Sequence, residues 1–387
     1  MRTHCCLFPL LILSLLVSTA LSAPLSPAER TVCTKGIQCV INKNQLDFFV
    51  VGDTGGVELH VTETLSHVRP TPVQTRLADS MAKLAGKKKL DFVINVGDNV
   101  YFNGVDHEND TRFQSVFEEP YADKRLQVPW YTIAGNHDYL GNVTAQIEYT
   151  KRSDKWTFPA PYYKASYAFA KMSKTVDIIF LDSVIMCGNS IDVDSRSLFS
   201  WMRAVEKVPE RPDPEHVKEA KKQWAWFERE LKNSKADYLF VVGHYPVYSI
   251  SLQRLKCLED RLDPLLRKYH VTAYIAGHDH SLQYFRDESG GKGPKMHYLV
   301  SGAGSRTGAW GDYKGDDRTK LIYRYPKQPY IPLLRNFVRK RNEFGFGYGG
   351  FVHFSVRTDR ADLGFYVRDQ ELEFQESIRP RAKKNFG

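Results

Sequence analysis

DFVINVGD, residues 91–98, is a run of Phe, Val and Ile that reaches a glycine and then a carboxylate. Aromatic and β-branched residues favour strands, and a nearly unbroken apolar run marks a strand covered on both faces. The same order of residues occurs four more times. DFFVVGD ends at Asp53, WYTIAGN at Asn136 and YLFVVGH at His244, while VTAYIAGHDH, residues 271–280, releases His278 and His280 after Gly277. One polar turn after a strand is commonplace. Five that all end on side chains able to ligate a metal define an α/β fold whose strands deliver their ends to one place. In open α/β sheets ligands gather beyond the carboxyl ends of the strands. The glycine before each ligand is expected to let the backbone turn sharply and several loops crowd one point.

Between these strands the period changes. TPVQTRLADSMAKLAGKKK, residues 71–89, has helical spacing and is expected to terminate at Gly86, with lysines beyond it. In DPEHVKEAKKQWAWFERELKNS, residues 213–234, Asp213 suits a cap and Pro214 the first turn. Val217, Ala220, Trp224, Phe227 and Leu231 there make one apolar stripe. A further strand, VDIIFLDS, ends at Asp182 and Ser183, which read as turn residues. The candidate ligands run from Asp53 to His280 without a linker or repeat, so one domain is expected to span residues 23–387.

The chain has 387 residues, 42% of them hydrophobic, a composition of ordinary globular proteins. Residues 1–22 have the basic start, apolar stretch and small residues of a cleavable signal peptide, with cleavage between 20 and 23. No second run is long enough to span a bilayer, so a secreted or lysosomal protein is expected. Removal of the leader takes Cys5 and Cys6 and leaves Cys33, Cys39, Cys187 and Cys257. Of the three possible pairings, Cys33 with Cys39 and Cys187 with Cys257 is the expected one. Asn109 and Asn142 open glycosylation sequons. The net charge of +9 owes much to residues 305–345, where ten Lys or Arg face four Asp or Glu. A basic run of this kind is more often a solvated face than a nucleic-acid site.

Collected, the candidates are Asp53, Asp98, Tyr101, Asn136, His244, His278 and His280. A structural zinc takes four ligands, commonly with cysteine among them, so this set is too large and too oxygen-rich for one ion. Two metals sharing one carboxylate give each ion four protein ligands and leave positions open. Such a pair, about 3.5–4 Å apart, clamps the attacking and leaving oxygens of a phosphoryl group. No Walker-type loop or nucleophilic serine motif competes with that reading.

GDTGG, GDNVY, GNHD, VVGHYP and AGHDH stand in the order and approximate spacing of the purple acid phosphatase family of metallophosphoesterases, which the chain resembles. The similarity continues through DTRFQSVFE, VDIIFLDSVIMCGNS and YLVSGAG to GGFVHFSV, and it looks closest to the small tartrate-resistant, uteroferrin-like branch. The resemblance implies a four-layer α/β/β/α sandwich with two mixed sheets. It also implies Fe(III) paired with Fe(II) or Zn(II). It assigns Asp53, Asp98, Tyr101 and His280 to Fe(III), and Asp98, Asn136, His244 and His278 to the divalent ion. Carboxylates and a phenolate suit a hard trivalent ion, and an amide with two imidazoles suits a softer one. A trivalent ion acidifies bound water more than zinc does, so an acidic optimum on phosphate monoesters is expected.

His137, beside Asn136, is the candidate leaving-group acid. The family also implies that residues 191–211 restrain activity until a protease cuts them, and a monomer is expected. Where this family branch carries acidic and histidine side chains after GHYP, this chain has Leu252, Gln253 and Arg254. Two other readings compete: a phosphodiesterase or nuclease on the same fold, and an inactive binding protein. The second normally shows lost ligands, and here all seven positions are filled.

Overall fold

The computed structural model describes residues 32–34, 37–62, 65–170, 174–188, 214–250, 255–288, 295–308, 319–327 and 347–381. Two mixed sheets carry the fold. The first holds nine strands: β1 (Val32–Thr34), β2 (Gln38–Ile41), β9 (Tyr163–Phe169), β10 (Lys174–Phe180), β11 (Tyr238–Val242), β12 (Ala273–Ala276), β14 (His297–Ser301), β13 (Leu282–Asp287) and β15 (Thr319–Tyr325), in that spatial order. The second holds seven: β18 (Glu371–Ile378), β17 (Ala361–Val367), β16 (Gly350–Val356), β3 (Leu46–Val51), β6 (Phe92–Asn95), β7 (Trp130–Thr132) and β8 (Trp156–Thr157). A hairpin of β4 (Val57–Thr62) and β5 (Leu65–Arg69) stands apart.

The strands that end on candidate ligands are parallel neighbours. In one sheet β3, β6 and β7 run side by side, and in the other β11 lies between β10 and β12. Every residue of β3, β6, β11 and β12 is buried, as the unbroken apolar runs anticipate. The sheets meet through aromatic side chains. Phe48 stacks on Phe92 and Phe354 at 4.8 and 4.9 Å and meets Phe240 of the opposite sheet edge-on at 6.0 Å. Helices flank the pair. Trp224, Phe227 and Leu231 of the helix Pro214–Asn233 join Leu239 and Val241 in a buried cluster on the first sheet.

Two expectations change. The helix Pro72–Lys88 continues through Gly86 and stops at Lys89, whose left-handed backbone (φ 49°) closes the last turn through its N–H to the Ala85 carbonyl. Gly86 instead lies against the Arg125 side chain. Val217 is 38% exposed and falls outside the stripe that Ala220, Trp224, Phe227 and Leu231 form. Part of the basic 305–345 segment is the regular strand β15, paired with β13, while residues 309–318 and 328–346 lie outside the described residues. The leader, Asp213, Leu252, Gln253, Arg254 and the 191–211 segment also lie outside them. Among the described residues no helix is long and apolar enough to cross a membrane.

Candidate metal centre

Asp53, Asp98, Asn136, His244 and His278 each follow a strand end by a few residues, on β3, β6, β7, β11 and β12 in turn. The turn itself is made differently from expectation. Of the five preceding glycines only Gly97 has positive φ. The left-handed residues are the ligands themselves, Asp53 (φ 57°), Asp98 (φ 53°) and His278 (φ 66°). Asp and His tolerate that region better than bulkier side chains, yet three such residues together are a concentration of backbone strain of the kind found at functional sites. The glycines serve close approach. A Cβ on Gly135 would lie 2.2 Å from Asp98 Oδ1, and one on Gly277 2.6 Å from Asp53 Oδ2.

Two overlapping groups of ligand atoms result: Asp98, His244 and His278 form one, and Asp53, Asp98 and His280 the other. Asp98 belongs to both. On the first side His244 Nε2 faces Asn136 Oδ1 at 3.0 Å and Asp98 Oδ1 at 3.4 Å. On the second, the Tyr101 hydroxyl lies 3.1 Å from Asp53 Oδ1, 3.0 Å from Asp98 Oδ2 and 2.9 Å from His280 Nε2. All seven residues expected at the centre are therefore brought together, in the two groups of four that share Asp98.

The donor chemistry fits cations. His244 Nδ1 lies 2.8 Å from the Val96 carbonyl, which accepts only from a protonated nitrogen, so in the neutral ring the Nε2 lone pair points at a carboxylate and an amide oxygen. Three lone pairs then converge with no proton between them. The Tyr101 hydroxyl has one proton for three neighbours. A metal ion on each side reconciles both conflicts. Without one, burial together with the charges of Asp53 and Asp98 pushes the Tyr101 phenol far up. Burial likewise raises Asp53 well above the carboxylate range. Asp98 is penalised by burial too, but the surrounding imidazoles and the His137 N–H outweigh it and hold the carboxyl low. Burial depresses His278, and burial with Arg306 depresses His280 to about 3, so both imidazoles stay in the neutral, ligating form.

His137 stands at the edge. Its N–H donates to Asp98 Oδ1 at 2.9 Å, its Nδ1 donates to the Phe102 carbonyl at 2.8 Å, and its Nε2 lies 4.0 Å from Asp98 Oδ2. The ring is thus held in one tautomer with Nε2 toward the centre.

Several supporting residues were not marked as part of the centre by the sequence. Asp138 is fully buried and accepts from Gly135 N, Asn99 N and Gln146 Nε2 at 2.8–3.0 Å, tying the Asp98 and Asn136 loops together. Burial and the nearby Asp98 raise its carboxyl to about 7. Ser183 is more than a turn residue, because its hydroxyl accepts from His244 N and Tyr245 N at 3.0 and 2.9 Å and seats that ligand loop. Asp182 caps the helix Ser183–Met186 and accepts from the Tyr139 hydroxyl. The guanidinium of Arg306 sits over the Tyr101 ring, 4.1 Å from its centroid. Only the Gly-Asn-His-Asp run hinted at any of them, through the carboxylate that follows His137.

Away from the centre, Cys187 and Cys257 are bonded, with Cα atoms 5.5 Å apart. Cys39 is also disulfide-bonded, and Cys33 is its register partner in the β1–β2 ladder. Asn109 and Asn142 are both exposed. Asn142 also caps the helix Val143–Tyr149 by accepting from Ala145 N.

Comparison with known proteins agrees with this geometry. A family model described as calcineurin-like phosphoesterase matches residues 46–282. Tartrate-resistant acid phosphatase type 5 of Homo sapiens is 42% identical over 265 residues, covering 67% of this chain and 73% of the relative. Among solved structures, GAP50, the anchor in the inner membrane complex of Plasmodium, superposes with a TM-score of 0.65 at 19% identity, covering 89% of this chain and 91% of its own. Purple acid phosphatase PPD1 from yellow lupin seeds gives 0.55 at 14% identity, over 87% and 54%. At those identities the two structures speak for the fold alone.

Proposed function

Because the chain belongs to the calcineurin-like phosphoesterase family, as an acid phosphatase related to the tartrate-resistant enzymes, we propose that it hydrolyses phosphate monoesters at a dinuclear centre of Fe(III) with Fe(II) or Zn(II). The supporting observation is the pair of ligand groups that share Asp98. Asp53, Asp98, Tyr101 and His280 would hold the trivalent ion, and Asp98, Asn136, His244 and His278 the divalent one. When bound, two such ions supply Lewis acidity that activates a water and neutralises phosphoryl charge. The chain's own residues do the rest. The fixed lone pairs of His244 and Asn136 pre-set the divalent site, and Tyr101 keeps its proton until a cation takes its place. His137, anchored at Nδ1 by the Phe102 carbonyl, presents Nε2 as the group that carries a proton to the leaving oxygen.

The supporting frame is a single domain over residues 23–387 that acts as a monomer in the secretory pathway. The Cys187–Cys257 bond favours that compartment. The Cys33–Cys39 pair, glycans on Asn109 and Asn142, and control by proteolysis within 191–211 are further parts of the same proposal.

Elemental analysis with a visible spectrum of the purified protein tests the centre. About two metals per chain, iron among them, and a visible band that Tyr101→Phe abolishes are the expected results. A colourless zinc protein with full activity would defeat the iron assignment. Faster hydrolysis of bis-aryl diesters than of aryl monoesters would move the substrate class to phosphodiesters.

A further inference from the structure

Arg306 lies outside every motif that marks the centre, yet it is fastened to it. Gly304 N donates to the Gly52 carbonyl at 3.1 Å, and Gly308 N to the His280 carbonyl at 3.0 Å. Between them the Ser305 hydroxyl donates to the Asp53 carbonyl at 2.6 Å, and the Ser305 carbonyl accepts from the Thr71 hydroxyl. The backbone around Arg306 is therefore clamped to the segments that carry Asp53 and His280. From that strap the side chain leans over Tyr101, its guanidinium carbon 4.1 Å from the Tyr101 ring centroid and 4.9 Å from that of Phe102. Stacking on two aromatic faces holds a guanidinium in one orientation, so little rotamer freedom remains to be lost on binding.

This guanidinium lacks what such a group needs. Its Nε is buried without a hydrogen-bond partner. Among the described residues it forms no ion pair. A fixed positive charge beside a cation site weakens metal binding, and this one lies directly over the ring of Tyr101. Placement there is costly unless an anion shares the site. The planar fork of donors matches the tetrahedral oxygens of a phosphoryl group better than any other substrate chemistry at this centre.

We infer that Arg306 is a substrate-positioning residue that binds the phosphoryl group undergoing hydrolysis, on the Tyr101 side of the centre. The inference rests on the dinuclear phosphatase reading, and the two fail separately: if that reading is wrong, the unaltered protein itself fails the metal analysis or the comparison of monoesters with diesters.

The test uses the metal-loaded protein and Arg306→Met, which keeps an apolar stem against both rings, beside Arg306→Lys, which keeps the charge without the fork. Inorganic phosphate is titrated by its effect on the visible band, and its inhibition constant is measured against nitrophenyl phosphate. Loss of a charge-assisted contact predicts about 10- to 100-fold weaker phosphate binding in both readouts for Arg306→Met, a similar rise in KM, a smaller change in kcat and unchanged metal content. Arg306→Lys should fall between. Phosphate binding within about twofold of the unaltered protein, with both metals present, overturns the inference and leaves Arg306 as aromatic packing. Weakened pyrophosphate binding with unchanged inorganic phosphate also overturns it, because the contact then belongs to a remote group. Metal loss in Arg306→Met that Arg306→Lys restores makes Arg306 a structural support and overturns it as well.

Discussion

Replacing Gly135 by alanine puts one methyl group where three parts of the centre meet. The new Cβ would stand 2.2 Å from Asp98 Oδ1, 2.4 Å from Asp98 N and 2.8 Å from His244 Cε1, whereas ordinary contact begins at 3.4 Å. The shared carboxylate has to retreat by roughly 1 Å, in a region packed too densely to absorb it. Overpacking of this kind costs about 1–3 kcal/mol of stability. The effect on catalysis is larger, because Asp98 also accepts from His137 N and faces the Tyr101 hydroxyl, so its retreat misaligns both sides of the centre. A misplacement of ~1 Å costs on the order of 100-fold in rate. Elemental analysis, kcat/KM on an aryl phosphate and thermal unfolding of the metal-free protein should report substoichiometric metal, a loss of about two orders of magnitude and a lowered midpoint. Gly86→Ala is the control, since that Cβ meets only the flexible Arg125 side chain, at 3.2 Å to Cδ, inside a helix. It should stabilise by up to about 1 kcal/mol and leave activity alone. Full metal content and unaltered kcat/KM in Gly135→Ala would refute the reasoning that close approach explains the glycine.

His137→Ala should slow alkyl phosphates far more than nitrophenyl phosphate, within the ~10²- to 10⁴-fold range of general acid catalysis, with both metals retained; equal losses on the two substrates would assign the ring to phosphate binding instead. His297, far from the centre and held by Tyr284, is buried and its pKa is depressed to about 4. The folded state resists protonating it while the unfolded chain takes up the proton near pH 6.5, so its contribution is whole above that pH and falls by about 3 kcal/mol as the pH drops to 4. Denaturant titrations across that window should show the loss, and His297→Gln should flatten it. The Cys187–Cys257 bond spans a sequence separation of 70, and Cys187→Ser with Cys257→Ser should cost about 2–5 kcal/mol in denaturant midpoints; an unchanged midpoint would mean that the unfolded chain is not constrained by it.

The parts of this molecule that sequence declares are those decided within a few residues. β3, β6, β11 and β12 are buried on both faces, so their apolar runs are visible without knowing what covers them, and the polar residue at each end is visible for the same reason. Boundaries set by tertiary neighbours were less legible. Gly86 reads as a stop and is a contact with Arg125, and Val217 keeps helical phase with Trp224 yet is 38% exposed. Arg306 was invisible for a stronger reason. Its aromatic partners come from a loop brought to it only by the folded sheets, and no spacing along the chain encodes a contact between Arg306 and Tyr101.

Local conformational rules fail where the centre is built, and the failures share a direction. Asp53, Asp98 and His278 adopt left-handed backbone that L-residues avoid. Each such residue costs on the order of 1 kcal/mol or more, and a chain optimised for stability alone would place glycine or asparagine there. A second conflict is electrostatic: His244 Nε2, Asn136 Oδ1 and Asp98 Oδ1 point lone pairs at one another inside a buried pocket. Neither conflict relaxes the other, since rotating Asp98 away would abandon the His137 N–H. A cation resolves the electrostatic conflict by turning the converging lone pairs into a ligand shell, and its binding energy offsets the strain of the three turns that bring ligands to it. Left-handed backbone also occurs at Ile37, Lys89, His270, Arg368 and Gln370, but at the ends of β3, β6 and β12 it coincides with converging lone pairs, and that coincidence is physical support for a site selected for binding rather than for folding.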